Sequence, residues 1–130
     1  MNKIVSLILT RWSEILLVLM VVGYSVMLSY LSILRHEAFY SNYDLANMDQ
    51  TVWNTSQGRI LELSGKGGTI SRISIHTDVF LAVIAPVYWI WSDVKALLII
   101  QCVALGSGAV WVYLITKKVL DSKTVALNVS

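Results

Sequence analysis

The chain has 130 residues and a net charge of +2, with 56% hydrophobic and 14% charged residues. This composition excludes an ordinary soluble domain, because the charges cluster outside two long apolar runs, as in membrane proteins. The small positive charge reflects topology across a lipid bilayer, and we expect no nucleic acid among the partners.

The first apolar run covers residues 15–34, behind a short basic tail of residues 1–14. About 20 helical residues at a rise of 1.5 Å reach the roughly 30 Å of a hydrocarbon core, so this run predicts a transmembrane helix. A cleaved signal peptide is the alternative. The run exceeds the about 7 to 15 apolar residues of a signal core, and "SYLSILRHE" offers no convincing cleavage site, so we interpret it as a retained anchor.

The second apolar run, "ALLIIQCVALGSGAVWVYLI", covers residues 96–115 and precedes a second tail, residues 116–130. Basic residues favour the terminal flanks of the two runs: Lys3, Arg11, Lys117, Lys118 and Lys123, against Arg35 and Lys95 on the central segment. This bias predicts cytoplasmic termini and an extracytoplasmic loop over residues 35–95. The expected fold is an all-α, multi-pass integral protein of the cell membrane, with two transmembrane helices.

The loop is predicted to contain an amphipathic helix over residues 42–57, with Ser41 or Asn42 as N-cap and Gly58 as stop signal. Apolar side chains share one face, Leu45, Met48, Val52 and Trp53, and polar side chains another, Tyr43, Asn47, Gln50 and Asn54. Such a helix can lie flat on a bilayer surface. The following "SGKGGTISR" predicts a flexible loop, because the terminal Lys-Ser/Thr of a phosphate-binding loop is missing.

A third apolar run of about 13 residues contains Pro86 and is too short to cross a bilayer. It predicts a membrane-hugging interfacial helix over residues 76–92. Aromatic residues near the outer interface fit interfacial anchoring: Tyr30, Tyr40, Tyr88, Trp89 and Trp91.

Small residues in the spans indicate contacts with other helices, and Ala104 with Gly108 forms a small-xxx-small pair. We therefore expect further transmembrane helices or subunits as partners, and we expect the chain to be the N-terminal portion of a larger protein.

Asp44 is the first candidate for chemistry. It is either an exposed first-turn acid favoured by the helix dipole, or a general base that meets a lipid-linked substrate at the membrane surface. Asp49 lies five positions on, about 140° around a helix, so the two acids do not form a close carboxylate pair.

His76 can bind phosphate, assist a carboxylate or ligate a metal. No cofactor follows from these residues, and a divalent metal stays an open alternative.

Arginine residues of the loop are candidates for binding phosphate, because a guanidinium fork matches phosphate oxygens. They are Arg35, Arg59 and Arg72, and their alternative interpretation is solvated loop charge.

The order of these parts resembles the membrane protein family called domain of unknown function 2079. An anchor span is followed by "YDLANMDQTVWNTSQGRIL", then by "HTDVFLAVIAPVYWIW", then by a span that ends in "YLITKK". The family pattern is an acid-Leu pair, a Gln, a Trp, a Gly-Arg and a His ahead of an apolar stretch with Pro. These positions are Asp44 with Leu45, Gln50, Trp53, Gly58 with Arg59, His76 and Pro86.

That family is itself similar to the C-type glycosyltransferases, which use polyprenyl-phosphate-linked sugars as donors. The resemblance implies sugar transfer to an acceptor hydroxyl on the outer face, with Asp44 as the catalytic base. It implies that Gln50, Trp53, Arg59 and His76 bind substrate. Two departures are that Leu45 stands where a second acid often follows, and that the superfamily usually has many more spans. The alternative is a non-catalytic two-span membrane protein whose outer loop is a structural or partner-binding module.

Overall fold

The computed structural model describes residues 3–41, 43–65 and 67–120, with side chains from residue 11 to residue 119 of these ranges. The described chain is mostly helical, with four α-helices, one β-hairpin and two 3₁₀ segments. It divides into two compact units, one of residues 1–32 with 99–130 and one of residues 33–98. Residues 1–2 and 121–130 of the predicted tails lie outside the described residues.

The first helix, α1, spans Lys3–Glu37. The most apolar 18-residue window of its segment Arg11–Glu37 has a mean hydropathy of 2.2, and only 11% of that window is buried inside the protein. A helix of this length and polarity can cross a membrane. It contains the predicted span, residues 15–34, and extends that span at both ends.

The last helix, α4, spans Val94–Leu120 and contains the second predicted span, residues 96–115. The most apolar 18-residue window of its segment Val94–Val119 has a mean hydropathy of 2.0, and the segment is also long enough to cross a membrane. The helix begins after Asp93, whose carboxylate accepts a hydrogen bond from the backbone N–H of Lys95 at 2.8 Å. This is the usual pattern of an N-cap aspartate.

In the unit of residues 1–32 and 99–130, α1 packs on α4 where Gly106 faces Ser25. A Cβ atom on Gly106 would lie 2.2 Å from Ser25 Oγ, so a larger residue fits only if Ser25 or the helices move. The predicted small-residue pair takes no part in this contact. Ala104 is exposed, and a Cβ on Gly108 would meet nothing within 4 Å.

The unit of residues 33–98 has its own hydrophobic core, built by Val52, Leu61, Leu81, Ala85, Tyr88, Ala96 and Leu97. Leu61 adopts a left-handed φ of 54° and is 2% exposed. The left-handed conformation costs about 1–2 kcal/mol, whereas burial of a leucine side chain contributes about 1.5–3 kcal/mol. The core therefore offsets the strain at Leu61.

The second helix, α2, spans Tyr43–Ser56, inside the predicted range 42–57. The predicted N-cap Asn42 lies outside the described residues. The predicted polar face of α2 is only partly exposed, because Tyr43 is 79% exposed whereas Asn54 is 8% exposed and packs beside the hairpin. The helix is held on two sides by protein, by the hairpin and by the apolar segment that follows it.

The glycine-rich segment forms an antiparallel hairpin, so the prediction of a flexible loop, and of an all-α fold here, was wrong. Strand β1, Glu62–Gly65, pairs with strand β2, Gly68–Ser71, in a register that places Gly65 opposite Gly68. Gly68 has a φ of 113°, which a glycine adopts without strain. The turn residue Lys66 lies outside the described residues.

The predicted interfacial helix, residues 76–92, is shorter than expected. After a 3₁₀ turn over Arg72–Ser74, residues 76–79 are not helical; helix α3 covers Phe80–Ile84, and a 3₁₀ segment covers Ala85–Trp89. Pro86 lacks an N–H and cannot donate the α-helical bond, which favours the change of helix type. Tyr88 is 5% exposed, so its prediction as an interfacial anchor was wrong.

Candidate functional site

Helix α2 carries three of the five predicted site residues and is the framework of the candidate site. Asp44 lies in its first turn, Gln50 in its middle and Trp53 in its last turn. Nine residues separate Asp44 from Trp53, which corresponds to about 14 Å along the axis and about half a turn around it. The two side chains therefore leave the helix in opposite directions.

Asp44 is exposed, and its carboxylate has no hydrogen-bond or ion-pair partner among the described residues. Its position in the first turn is favourable because a negative charge there interacts with the positive end of the helix dipole. An exposed, unpaired carboxylate can accept a proton from a bound hydroxyl group. Asp44 thus meets the elementary requirement for a general base.

Gln50 connects α2 to the hairpin. Its Nε2 atom donates a hydrogen bond to Ser64 Oγ at 2.7 Å, and its Oε1 atom accepts one from the Ser64 backbone N–H at 3.4 Å. Because both ends of the amide are engaged with one residue of β1, the side chain acts as a tie between the two elements.

Trp53 and Arg59 are brought together by the structure. The Arg59 guanidinium carbon lies 5.0 Å from the centroid of the Trp53 ring, a cation–π contact. Arg59 also donates from Nε and Nη2 to Asn54 Oδ1, at 3.2 and 2.6 Å, and its Nε lies 3.6 Å from a carboxylate oxygen of Glu62. Asn54 in turn donates to the Glu62 carbonyl at 2.9 Å. This cluster fixes the chain where it leaves α2 and enters β1.

His76 lies on the segment between the hairpin and α3 and is exposed. Its ring makes no hydrogen bond within the described chain. Its backbone N–H donates to the Arg72 carbonyl at 2.9 Å, which fixes the position of the segment. No hydrogen bond or ion pair of the described residues joins Asp44 or His76 to Gln50, Trp53 or Arg59.

Arg72 was considered a phosphate ligand from the sequence, but it is 3% exposed and pairs with Asp78. Its Nη2 lies 2.7 Å and its Nε 2.9 Å from Asp78 Oδ2. The Arg72 backbone N–H also donates to the Leu61 carbonyl at 2.7 Å. Its guanidinium therefore stabilises the segment that carries His76.

A second polar pair that sequence reasoning missed joins α2 to the segment after α3. The Tyr88 phenol donates a short hydrogen bond to the Asp49 carboxylate. Burial raises the pKa of Tyr88 above its ordinary value, and the bond to Asp49 raises it further. In the sequence, the i, i+4, i+7 spacing of Leu81, Ala85 and Tyr88 could have indicated that Tyr88 points towards the core.

The described residues contain no group of three or more His, Cys, Asp or Glu side chains that could hold a metal ion. Asp44 and His76 are the two exposed site residues predicted from the sequence that could ligate a metal. They share no contact among the described residues that would make them ligands of one ion. The arrangement gives no residue set to which a metal-dependent step can be assigned.

Comparison with known proteins gives one match. The model of a family described as predicted membrane protein, DUF2079, matches residues 35–130, which include all five predicted site residues. Searches among curated proteins and among solved structures find no match.

Proposed function

The chain belongs to the DUF2079 family of predicted membrane proteins, and we propose that it is a glycosyltransferase-like protein. In this proposal it transfers a sugar from a polyprenyl-phosphate carrier to an acceptor hydroxyl at the outer face of the cell membrane. The observation that carries the proposal is Asp44, an exposed carboxylate without a partner among the described residues. Both termini are cytoplasmic in this proposal, as the basic flanks favour.

The position of Asp44 in the chain supports contact with a lipid-linked substrate. It lies seven residues after Glu37, where the first apolar segment ends. Seven residues reach at most about 25 Å, so the carboxylate lies within this distance of the end of the segment. In this proposal it meets the head group of a lipid carrier there. Neighbouring Tyr43 is 79% exposed and provides an amphipathic surface for such a head group.

The proposed reaction needs one base and a stabilised leaving phosphate. Asp44 accepts the proton of the acceptor hydroxyl, and the resulting oxygen nucleophile forms a bond to the anomeric carbon of the donor sugar. The bond between that carbon and the carrier phosphate oxygen breaks, and the phosphate leaves with the bonding electron pair. His76 is the proposed ligand of the leaving phosphate, since it offers an N–H donor at the surface. Arg59 packs on Trp53, on the side of α2 away from Asp44, and is proposed to bind a more distant polar group of the substrate.

Gln50 and Trp53 have the proposed role of holding the sugars. The Trp53 side chain is 44% exposed, and an exposed indole ring offers an apolar face for a sugar ring. Arg59 lies against one face of this ring, and in this proposal a sugar stacks on the other face.

Sugar transfer by membrane vesicles that contain the protein tests the role of Asp44. Transfer of a labelled sugar from its polyprenyl-phosphate carrier should fall about 10²- to 10⁴-fold in the Asp44→Asn variant, the usual contribution of a general base. The control is Glu37→Gln, which removes a nearby acid that pairs with Lys95 at 2.6 Å and has no role in the proposed reaction. Equal transfer by the Asp44→Asn variant and the unmodified protein would overturn the assignment.

A specific observation favours a second function, a structural or partner-binding module without chemistry. The polar groups of Gln50 and two nitrogen atoms of Arg59 are engaged inside the protein. Under this function, Gln50→Ala lowers the unfolding temperature, and Asp44→Asn changes neither that temperature nor any transfer reaction. Transfer that depends on Asp44 in a stably folded variant would exclude this second function.

A further inference from the structure

The turn that ends α1 is a Schellman motif with a phenylalanine in the glycine position. The backbone N–H of Tyr40 donates to the Arg35 carbonyl at 3.1 Å, and that of Phe39 donates to the His36 carbonyl at 3.0 Å. These two bonds define the motif, whose left-handed residue is usually glycine. Here that residue is Phe39, with a φ of 62°. A bulky side chain is strained in this conformation.

Among the residues that the structure describes, no packing contact of Phe39 offsets this strain. Phe39 is 96% exposed, whereas Leu61, also in the left-handed region, is 2% exposed and belongs to the core. Phe39 and Leu61 therefore differ in what compensates the strain of a left-handed φ, which glycine adopts more easily. Burial in the protein compensates the strain at Leu61, whereas the described residues provide no such burial for Phe39.

Two further exposed aromatic residues lie within four positions of Phe39 in the chain, and we call Phe39, Tyr40 and Tyr43 together the aromatic patch. Tyr40 is 72% and Tyr43 is 79% exposed. The turn that presents the patch is well fixed, because Arg35 Nε donates to the Tyr40 carbonyl at 3.2 Å and the His36 ring bonds to Ser41 Oγ at 2.6 Å.

The position of the patch in the chain identifies its partner. The apolar run of residues 15–34 ends five residues before Phe39, and because α1 continues to Glu37, Phe39 lies within about 12 Å of the end of that run. The chain belongs to a membrane protein family, and aromatic residues concentrate where the head groups meet the acyl chains. We propose that the aromatic patch inserts into this boundary of the bilayer that α1 crosses, and that Phe39 is kept at a glycine position for this contact. The inference does not depend on sugar transfer.

Spin labels on the protein in vesicles of phosphatidylcholine and phosphatidylglycerol test this contact. One label is placed at Phe39→Cys and a control label at Thr69→Cys, an exposed position of β2. Both are made in a Cys102→Ala background, since Cys102 is the single cysteine of the chain. Collision with oxygen, which concentrates in lipid, and with an aqueous nickel chelate is measured at each position.

We expect the ratio of oxygen to nickel collisions to be severalfold higher at position 39 than at position 69. Equal access of the nickel chelate to both positions would mean a patch in water and would overturn the proposal. Protection of position 39 from both reagents would mean that protein covers the patch, and would also overturn it.

Two substitutions at Phe39 distinguish an effect of the aromatic ring on insertion from an effect of the turn conformation. Phe39→Gly keeps the turn and removes the ring, whereas Phe39→Trp keeps an aromatic side chain at the same place. A label at Tyr43→Cys should lose much of its oxygen access in the Phe39→Gly background and keep it in the Phe39→Trp background. The same oxygen access in both backgrounds would contradict a role of Phe39 in inserting the patch.

Discussion

The phenol of Tyr88 donates a hydrogen bond to the carboxylate of Asp49, and this bond joins α2 to the 3₁₀ segment Ala85–Trp89. The same two elements are joined again where Trp89 Nε1 donates to the Ser56 carbonyl at 2.8 Å. The two bonds lie seven residues apart on α2, about two helical turns. Together they fix the orientation of α2, and therefore the direction in which Asp44 leaves the helix.

Replacement of Tyr88 by phenylalanine should lower the free energy of unfolding by about 1–2 kcal/mol, because it removes a bond to a charged, partly buried carboxylate. The ring and its packing in the core are kept. Chemical denaturation in detergent, followed by tryptophan fluorescence, measures the change. The matched control is Tyr43→Phe, which removes an exposed phenol and should leave the free energy of unfolding within about 0.5 kcal/mol.

The raised pKa of Tyr88 makes stability depend on alkaline pH. The folded protein keeps the phenol protonated above pH 10, whereas the unfolded chain releases this proton near its ordinary pKa of about 10. The contribution of Tyr88 is therefore fully present below about pH 10 and decreases above it, by about 1.4 kcal/mol per pH unit. Between pH 10 and pH 11 the unmodified protein should lose more stability than the Tyr88→Phe variant. Parallel pH profiles for the two proteins would contradict the prediction.

Loss of the acidic partner should lower the free energy of unfolding much more for the ion pair of Arg72 than for that of Arg59. Asp78→Asn leaves the 3%-exposed Arg72 without its counter-charge and should cost about 3 kcal/mol. Glu62→Gln removes a partner of Arg59 at 3.6 Å, where both side chains are more than one-third exposed, and should cost less than about 1 kcal/mol. Thermal unfolding of both variants in the same detergent compares them. Equal losses of stability in the two variants would mean that Arg72 is solvated, and would contradict the prediction.

The positions of the helices followed from the sequence, since apolar length and capping signals are local. Residues 15–34 and 96–115 lie inside α1 and α4, and the predicted helix 42–57 differs from α2 by one residue at each end. The hairpin could not be predicted from the sequence. Its four-residue strands contain two glycines and a single large apolar pair, Leu63 opposite Ile70, and their position depends on bonds from Gln50 and Asn54.

The pairing of polar side chains also depended on tertiary structure. Arg72 and Asp78 are six residues apart, and Asp49 and Tyr88 are 39 residues apart in the chain. Spacing on one helix correctly separated Asp44 from Asp49, but it carried no information about a partner on another element. The roles of Asp44, Gln50, Trp53, Arg59 and His76 in binding or catalysis stay predictions, which transfer assays on single variants test.

The contact between α1 and α4 gives a prediction about Gly106. In Gly106→Ala the new methyl group would lie 2.2 Å from Ser25 Oγ, so the hydroxyl or the helices must move. Ser25 Oγ is buried and has no hydrogen-bond partner in the described structure, so removing it leaves no other group unpaired. We expect Gly106→Ala to cost about 1–3 kcal/mol, the usual range for overpacking.

The added substitution Ser25→Ala should restore most of this loss, because the nearest side-chain atom is then Cβ of residue 25, at 3.5 Å. Gly108→Ala is the matched control on the same helix, since its methyl group meets nothing within 4 Å. Thermal unfolding in detergent, followed by circular dichroism, compares the three variants. A Gly106→Ala variant as stable as Gly108→Ala would show that Gly106 is not at a close helix contact. Failure of Ser25→Ala to rescue would place the clash at the Val21 carbonyl, 3.3 Å from the same methyl group.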